Sequence, residues 1–251
     1  MGQLVVYSDE GVSGISLKHL LRSLQQEVDP QFHTIRRMDS KELQTTEWES
    51  ETDLILFPGG RDIFYQRNLF PRGTQRIKSF VEHGGKYFGL CAGAYFACDT
   101  IEFEKGGELE VCEERFLKFY PGIAKGPALG LNKYRIDSEH GAEATVMSWK
   151  DQSCHTYYNG GCFFDLTDQF PHINILSRYL DLVNSPASII ECHVGKGLAI
   201  LSGVHIEYSA SLFTSSNPLY AKIVSSLESS ELLRRKIFRD LLYSLQVRLK
   251  K

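Results

Sequence analysis

Three short apolar runs near the N-terminus each stop at a turn built from small residues, and this pattern restricts the fold more than any other feature. Leu4-Val5-Val6-Tyr7 runs into Ser8-Asp9-Glu10-Gly11, Asp53-Leu54-Ile55-Leu56-Phe57 into Pro58-Gly59-Gly60, and Tyr87-Phe88-Gly89-Leu90 into Cys91-Ala92-Gly93. Apolar runs of this length without polar alternation predict strands buried on both faces. Between them Ile15, Leu17, Leu20, Leu21 and Leu24 recur at helical spacing, as do Ile77, Phe80 and Val81 ahead of Gly84-Gly85. A further strand is expected over residues 32–36. Strands alternating with helices predict an α/β fold with a mostly parallel sheet and helices on both faces. Ligands of such sheets bind beyond the carboxyl ends of the strands. The candidate loops are therefore residues 8–13, residues 58–62 and the turn at Cys91.

The texture changes over residues 102–168. Val111-Cys112, Arg135-Ile136, residues 144–149 and residues 155–158 are short β-like runs separated by Gly and Pro turns. They predict an antiparallel β extension of the same domain. Residues 187–192 and 197–202 read as a hairpin around Val194-Gly195-Lys196. From Asn217 to residue 250 the chain reads as helix, with Leu232, Leu233, Ile237, Leu241, Leu242 and Leu245 on one stripe and a basic, solvated end over residues 248–251. Neither an internal repeat nor a low-complexity linker interrupts it. One domain over residues 1–251 is expected, its core over residues 4–209.

Composition removes several function classes. The chain has 28 Lys and Arg against 31 Asp and Glu, which leaves no basic excess for a nucleic-acid partner. No run is long and apolar enough to cross a bilayer, and the N-terminus lacks the pattern of a signal peptide. The six cysteines include no CxxC pair. Reduced thiols and a cytoplasmic location are the expectation, without structural zinc. His155, His172 and His193 lack paired ligand spacing, and Lys105-Gly106-Gly107 and Lys125-Gly126-Pro127 lack the phosphate-loop pattern. Neither a metal nor a cofactor is expected. Trp48 and Trp149 read as packing residues.

Three segments carry potential chemistry. In Gly89-Leu90-Cys91-Ala92-Gly93, small residues two before and two after Cys91 suit a strained strand-to-helix turn that exposes a nucleophile. The helix N-terminus then favours a thiolate, and the Ala92 N–H points where an oxyanion forms. A buried structural cysteine fits the motif as well. His205-Ile206-Glu207 follows the strand over residues 198–201. An i, i+2 spacing places a base and its orienting carboxylate on one side of extended chain, although an isolated His-x-Glu is more often a surface loop. Pro58-Gly59-Gly60-Arg61-Asp62 offers close backbone approach and a second oxyanion amide, or a plain turn. All three fall at the ends of expected strands.

That order resembles class I glutamine amidotransferase-like proteins, which use a Cys-His-Glu triad on a flavodoxin-like sheet. More narrowly, the segment 57–62, Gly89-Leu90-Cys91-Ala92-Gly93-Ala94-Tyr95 and Tyr157-Tyr158-Asn159-Gly160-Gly161 resemble the N-terminal domain of eukaryotic-type biotin–protein ligases, which also occurs alone. The resemblance implies Cys91 as nucleophile, His205 as base and Glu207 as its orienter. It implies Gly60 and Ala92 as oxyanion-hole amides, and Gly59, Arg61, Asp62, Tyr95, Tyr158, Asn159 and Gly160 as pocket residues. Ile206 stands where many amidotransferases have proline, and Cys162, read as core, follows the double glycine. No glycine-rich basic adenylate loop follows Ser209, so biotin ligation is not expected of this chain. The resemblance implies a cysteine-dependent amidohydrolase or amidotransferase acting on a carbon–nitrogen bond of a small molecule, with a separate acceptor or synthetase protein as a possible partner. The alternatives are a non-catalytic metabolite-binding or regulatory module and a peptidase or redox thiol on the same scaffold.

Overall fold

The computed structural model describes residues 1–136, 138–213 and 218–251. The first half runs β1 (Gly2–Tyr7), α1 (Gly14–Glu27), β2 (His33–Met38), α2 (Ser40–Thr45), β3 (Thr52–Phe57), α3 (Asp62–Leu69), α4 (Arg72–Glu82), β4 (Lys86–Leu90) and α5 (Ala92–Phe96). Then follow β5 (Cys98–Phe103), β6 (Val111–Glu114), β7 (Tyr120–Gly126), β8 (Glu143–Trp149), β9 (Gln152–Tyr158), β10 (Phe163–Asp165) and β11 (Ile173–Arg178). β12 (Ala187–Val194), β13 (Gly197–Ser202), α6 (Pro218–Ser229) and α7 (Glu231–Ser244) complete the chain order.

The large sheet has the order β2-β1-β3-β4-β13-β12-β10-β7-β5-β6, with β11 also paired to β12. Its first five strands are parallel. The order turns back between β1 and β3, so a crevice opens there at the carboxyl ends of the strands. Both faces are covered, which is why β1 is apolar without alternation. Val5, Tyr7, Phe57, Tyr65, Tyr87 and Phe96 pack in one layer. Leu4, Val6, Leu54, Leu56, Phe88 and Leu90 pack in the other, against Leu20 and Leu24 of α1 and Ile237 and Leu241 of α7. No helix among the described residues is long and apolar enough to cross a membrane.

The expected hairpin is present: β12 and β13 pair antiparallel up to Val194 and Gly197. The expected β extension is present too, as a continuation of the large sheet. β10, β7, β5 and β6 continue the large sheet beyond β12, and β5 and β7 pair parallel. Of the middle strands, β8 and β9 form a hairpin of their own. Arg135 and Ile136 form no strand, because they sit exposed in the loop between β7 and β8, where no ladder reaches them.

The C-terminal segment also departs from expectation. Asn217 lies outside the described residues. The helical region divides at Ser230 into α6 and α7, and the expected stripe follows α7 with Ile237, Leu241, Leu242 and Leu245 buried, but Leu232 falls off it at 83% exposed. Buried Arg234 accounts for the docking of α7, since its guanidinium donates to the carbonyls of Tyr208, His155 and Leu227. The basic end is not a free tail. The Arg248 N–H donates to His33 Nε2, Leu249 bridges Val28, and Lys250 Nζ donates to the Gln25 carbonyl.

Candidate active site

Cys91 joins β4 to α5 with φ +50° and ψ −103°, a conformation that a non-glycine residue adopts only at a cost. Its neighbours explain how the turn closes. A Cβ on Gly89 would lie 2.4 Å from the Gly93 carbonyl oxygen, and a Cβ on Gly93 would lie 2.2 Å from that of Phe57. Both contacts are with backbone, so only glycine fits on either side of the elbow. The Cys91 N–H donates to the Ser202 carbonyl and the Gly93 N–H to that of Pro58, which ties the elbow to β13 and to the loop after β3.

The His-x-Glu segment reaches the elbow by a different route from the one expected. The strand ladder of β13 ends at Ser202, and His205 instead forms an isolated bridge with Tyr157 of β9, its N–H donating to the Tyr157 carbonyl. The chain turns at Ile206 and Glu207, yet the two side chains meet: His205 Nδ1 lies 2.7 Å from Glu207 Oε1. Both residues are buried. The Cys91 sulfur acts on the imidazole electrostatically, and the thiol donates to the Asn159 carbonyl at 3.9 Å. Burial is the largest influence on His205 and opposes its charge, but the Glu207 carboxylate and the Cys91 sulfur together outweigh it and push His205 up to about 10. α5 is only five residues long, so its dipole adds little beside this imidazole.

The His205 ring is fixed on its flanks. Tyr157 lies 5.6 Å away and Tyr208 4.6 Å away, centroid to centroid, and Tyr208 stacks on His19 at 3.9 Å. Burial, together with the charge of His205, pushes His19 down to about 3, so it stays neutral while Nδ1 accepts from the Ser209 N–H. The loop after β3 closes another side. The Gly59 N–H donates to Ser16 Oγ at 2.8 Å. The N–H groups of Gly60 and Ala92, by contrast, donate to no other group among the described residues. Gly60 has φ +150°, and a Cβ there would lie 2.0 Å from the Gly11 carbonyl oxygen.

Cys91 separates two cavities. One, of about 230 Å³, is walled by Tyr95, Phe103, Val111, Tyr134, Asn159 and Gly160, with Gly60, Arg61, Asp62 and Ala92 at its base. The other, of about 570 Å³, is wider and contains His205, Gly59, Ser16, Glu139, Tyr157 and Tyr208. A larger depression of about 1030 Å³ lies at the opposite end of the sheet, around Gly2, Thr52 and Lys86, away from Cys91.

The structure thus brings together Cys91, His205, Glu207, Gly59, Gly60, Ala92, Arg61, Asp62, Tyr95, Asn159 and Gly160. Tyr158 is the exception. It lines neither cavity; its hydroxyl donates to the Gly161 carbonyl and accepts from the Leu129 N–H, within the core. Successive residues of β9 point to opposite faces, and it is Tyr157 that faces the site. Asp62 is present without a free charge, because Arg115 Nε donates to it at 2.7 Å. Cys162 is fully buried core, where burial pushes its thiol well up.

Sequence reasoning missed Ser16, Tyr134, Glu139 and Tyr208. Glu139 accepts from both the Tyr157 hydroxyl and Asn159 Nδ2. A carboxylate only accepts, so the Asn159 amide is oriented, and its Oδ1 is left buried without a partner. Strand alternation in β9 could have chosen Tyr157 over Tyr158. The loop residues carried no periodic signal.

The sheet order and the elbow define a class I glutamine amidotransferase-like fold. A crystal structure of a glutamine amidotransferase matches 90% of this chain and 98% of its own with a TM-score of 0.56 and 17% identity. PurLQS from Thermotoga maritima matches 92% and 98% with a TM-score of 0.55 and 12% identity. At those identities the likeness is one of fold. Within that class the chain belongs to the family of the biotin–protein ligase N-terminal domain, whose family model matches residues 2–251. It is 40% identical over 212 residues to an uncharacterised protein of Chlamydia muridarum, covering 83% of this chain and 81% of that one. It is 35% identical over 214 residues to a biotin–protein ligase of Schizosaccharomyces pombe, covering 82% of this chain but only 33% of the ligase.

Proposed function

We propose that the protein is a cysteine-dependent amidohydrolase or amidotransferase-like enzyme that cleaves a carbon–nitrogen bond of a small molecule. The observation that carries this reading is the buried His205–Glu207 pair at 2.7 Å, which lines one cavity with a cysteine held on a strained elbow. A base oriented by a carboxylate and set beside a nucleophile is the arrangement acyl transfer requires.

In the proposed mechanism Cys91 Sγ attacks the amide carbonyl carbon. The Gly60 and Ala92 N–H groups receive the oxyanion. The C–N bond breaks as the imidazolium of His205 gives its proton to the leaving nitrogen, which leaves a thioester. Water then attacks the thioester, His205 takes the water proton, and the carboxylic acid departs as the C–S bond breaks. Glu207 keeps the imidazole oriented and supports its charge throughout.

The test is the rate at which iodoacetamide alkylates Cys91 near neutral pH, read by mass spectrometry. The expected rate exceeds that of N-acetylcysteine by about tenfold or more, and His205→Ala removes the excess. A wild-type rate equal to that of the free thiol, unmoved by His205→Ala, would refute the proposal.

A further inference from the structure

We infer that the acyl group of the substrate is compact and apolar, an aryl or branched alkyl group, rather than the glutamyl group with its zwitterionic head. This rests on the proposed function above and assigns its two cavities to the two halves of the amide. His205 lies in the 570 Å³ cavity and not in the walls of the 230 Å³ one. The group that protonates the leaving nitrogen must face it, so the amine departs on the His205 side. The acyl half is left to the smaller cavity, which Ala92 and Gly60 border at the proposed oxyanion position.

The walls of that cavity are aromatic and continuous. Tyr95 meets Phe103 edge to face at 5.8 Å, and Phe103 meets Tyr134 at 5.5 Å. Such walls favour apolar contents, and a dry apolar cavity of roughly 150 Å³ already holds benzene. A space of about 230 Å³ fits one substituted ring or a branched chain of similar bulk.

The charges around it disfavour an amino-acid head group. Three carboxylates, those of Asp62, Glu108 and Glu110, line the cavity against one guanidinium, that of Arg61. Asp62 is held by Arg115, and Glu110 accepts from the Gly106 N–H. Arg61 lies over the Phe64 ring at 4.7 Å. With Asp62 paired to Arg115, the lining offers a substrate α-carboxylate two exposed carboxylates, Glu108 and Glu110, one exposed guanidinium and no buried cation. Asn159 lines both cavities, and its backbone carbonyl oxygen lies 3.9 Å from Cys91 Sγ.

The test uses chloromethyl ketones, R–CO–CH2–Cl, which alkylate the thiolate while presenting R where the acyl group lies. R is methyl, isobutyl, phenyl or 3-amino-3-carboxypropyl, the last reproducing the glutamyl group. Second-order rate constants for Cys91 modification are read by mass spectrometry on the full chain and divided by those for N-acetylcysteine. The phenyl reagent should react about tenfold or more faster than methyl, as burial of one ring supports; the glutamine analogue should gain nothing. Val111→Trp, which fills the cavity from β6, should bring the phenyl-to-methyl ratio near unity, and Leu109→Trp serves if that variant does not fold. A flat series, or one led by the glutamine analogue, would overturn the acyl assignment while the His205-dependent excess over free thiol keeps the mechanism standing. No excess for any reagent would remove both.

Discussion

Gly59→Ala is the most direct probe of how the candidate site is assembled. An added Cβ would lie 2.5 Å from His205 Cε1, 2.9 Å from Ser16 Oγ and 3.2 Å from His205 Nε2. Carbon atoms in contact sit about 3.5–4.0 Å apart, so the imidazole must retreat by roughly 1 Å. It has little room to do so. Tyr157 and Tyr208 flank the ring, and Nδ1 is held at 2.7 Å by Glu207. A retreat of that size breaks either the Glu207 or the Cys91 contact. Misplacement of a reacting group by about 1 Å costs on the order of 100-fold in rate. The packing strain itself should cost about 1–3 kcal/mol of stability, which is roughly 2–4 °C per kcal/mol for a chain of this length. The assay is the iodoacetamide rate at Cys91 beside a thermal melt, in the wild-type and His205→Ala backgrounds. In wild type the rate should fall steeply while the fold survives. In His205→Ala the clash with the ring is gone, so the added methyl should change the rate little. A Gly59→Ala rate within twofold of wild type, or an equal loss in both backgrounds, would refute this account of how Gly59 and His205 are packed.

Tyr158→Phe should lower stability by about 1–2 kcal/mol, because the Leu129 N–H and the Gly161 carbonyl lose their buried partner; chemical denaturation checks this, and Cys91 alkylation should be unchanged. The pH dependence of stability should carry the sign of a raised histidine. His205 is pushed from 6.5 up to about 10, so its contribution is whole below pH 6.5 and is lost as pH rises through about 10. Thermal melts across that window should show the decline, and Glu207→Gln should flatten it.

How much of this was legible in the sequence follows from where each residue lies. Cys91, Gly59 and Gly60 sit directly after buried parallel strands, where apolar runs stop and small residues begin, so their position at the carboxyl edge of the sheet could be read. His205 and Glu207 were found by their spacing, but the extended chain expected to carry them ends at Ser202. They converge because Tyr157 of β9 takes over as the pairing partner. Ser16 and Tyr208 gave no signal, since a buried serine on α1 and a tyrosine after a turn look like any other polar and aromatic residue. Most of the middle strands could be read as an extension of the domain, but not their pairing order, because sequence alternation reports burial on one face and not which neighbour a strand hydrogen-bonds. The tail was misread for a related reason: charge on residues 248–251 suggested solvent, whereas their backbone pairs with Val28 and His33.

Different parts of the fold supply the elbow and the walls of the cavity beside it. The parallel core fixes the elbow and the glycine loop, and the bridge to Tyr157 fixes the histidine. These positions depend on strand register and backbone fit, as the blocked Cβ sites at Gly89, Gly93 and Gly60 show. The walls that would contact a substrate come from elsewhere: Phe103 and Val111 from the β5–β6 hairpin, Tyr134 and Ile136 from the loop before β8, and Asn159 and Gly160 from the end of β9. Glu104 ties two of these walls together, its carboxylate accepting from the Asn132 N–H while its own N–H donates to the Gly126 carbonyl. A change in either loop would reshape the cavity without disturbing the elbow. What the cavity accepts is therefore set by these walls rather than by the parallel core, and they are where the ligand of this chain should be sought.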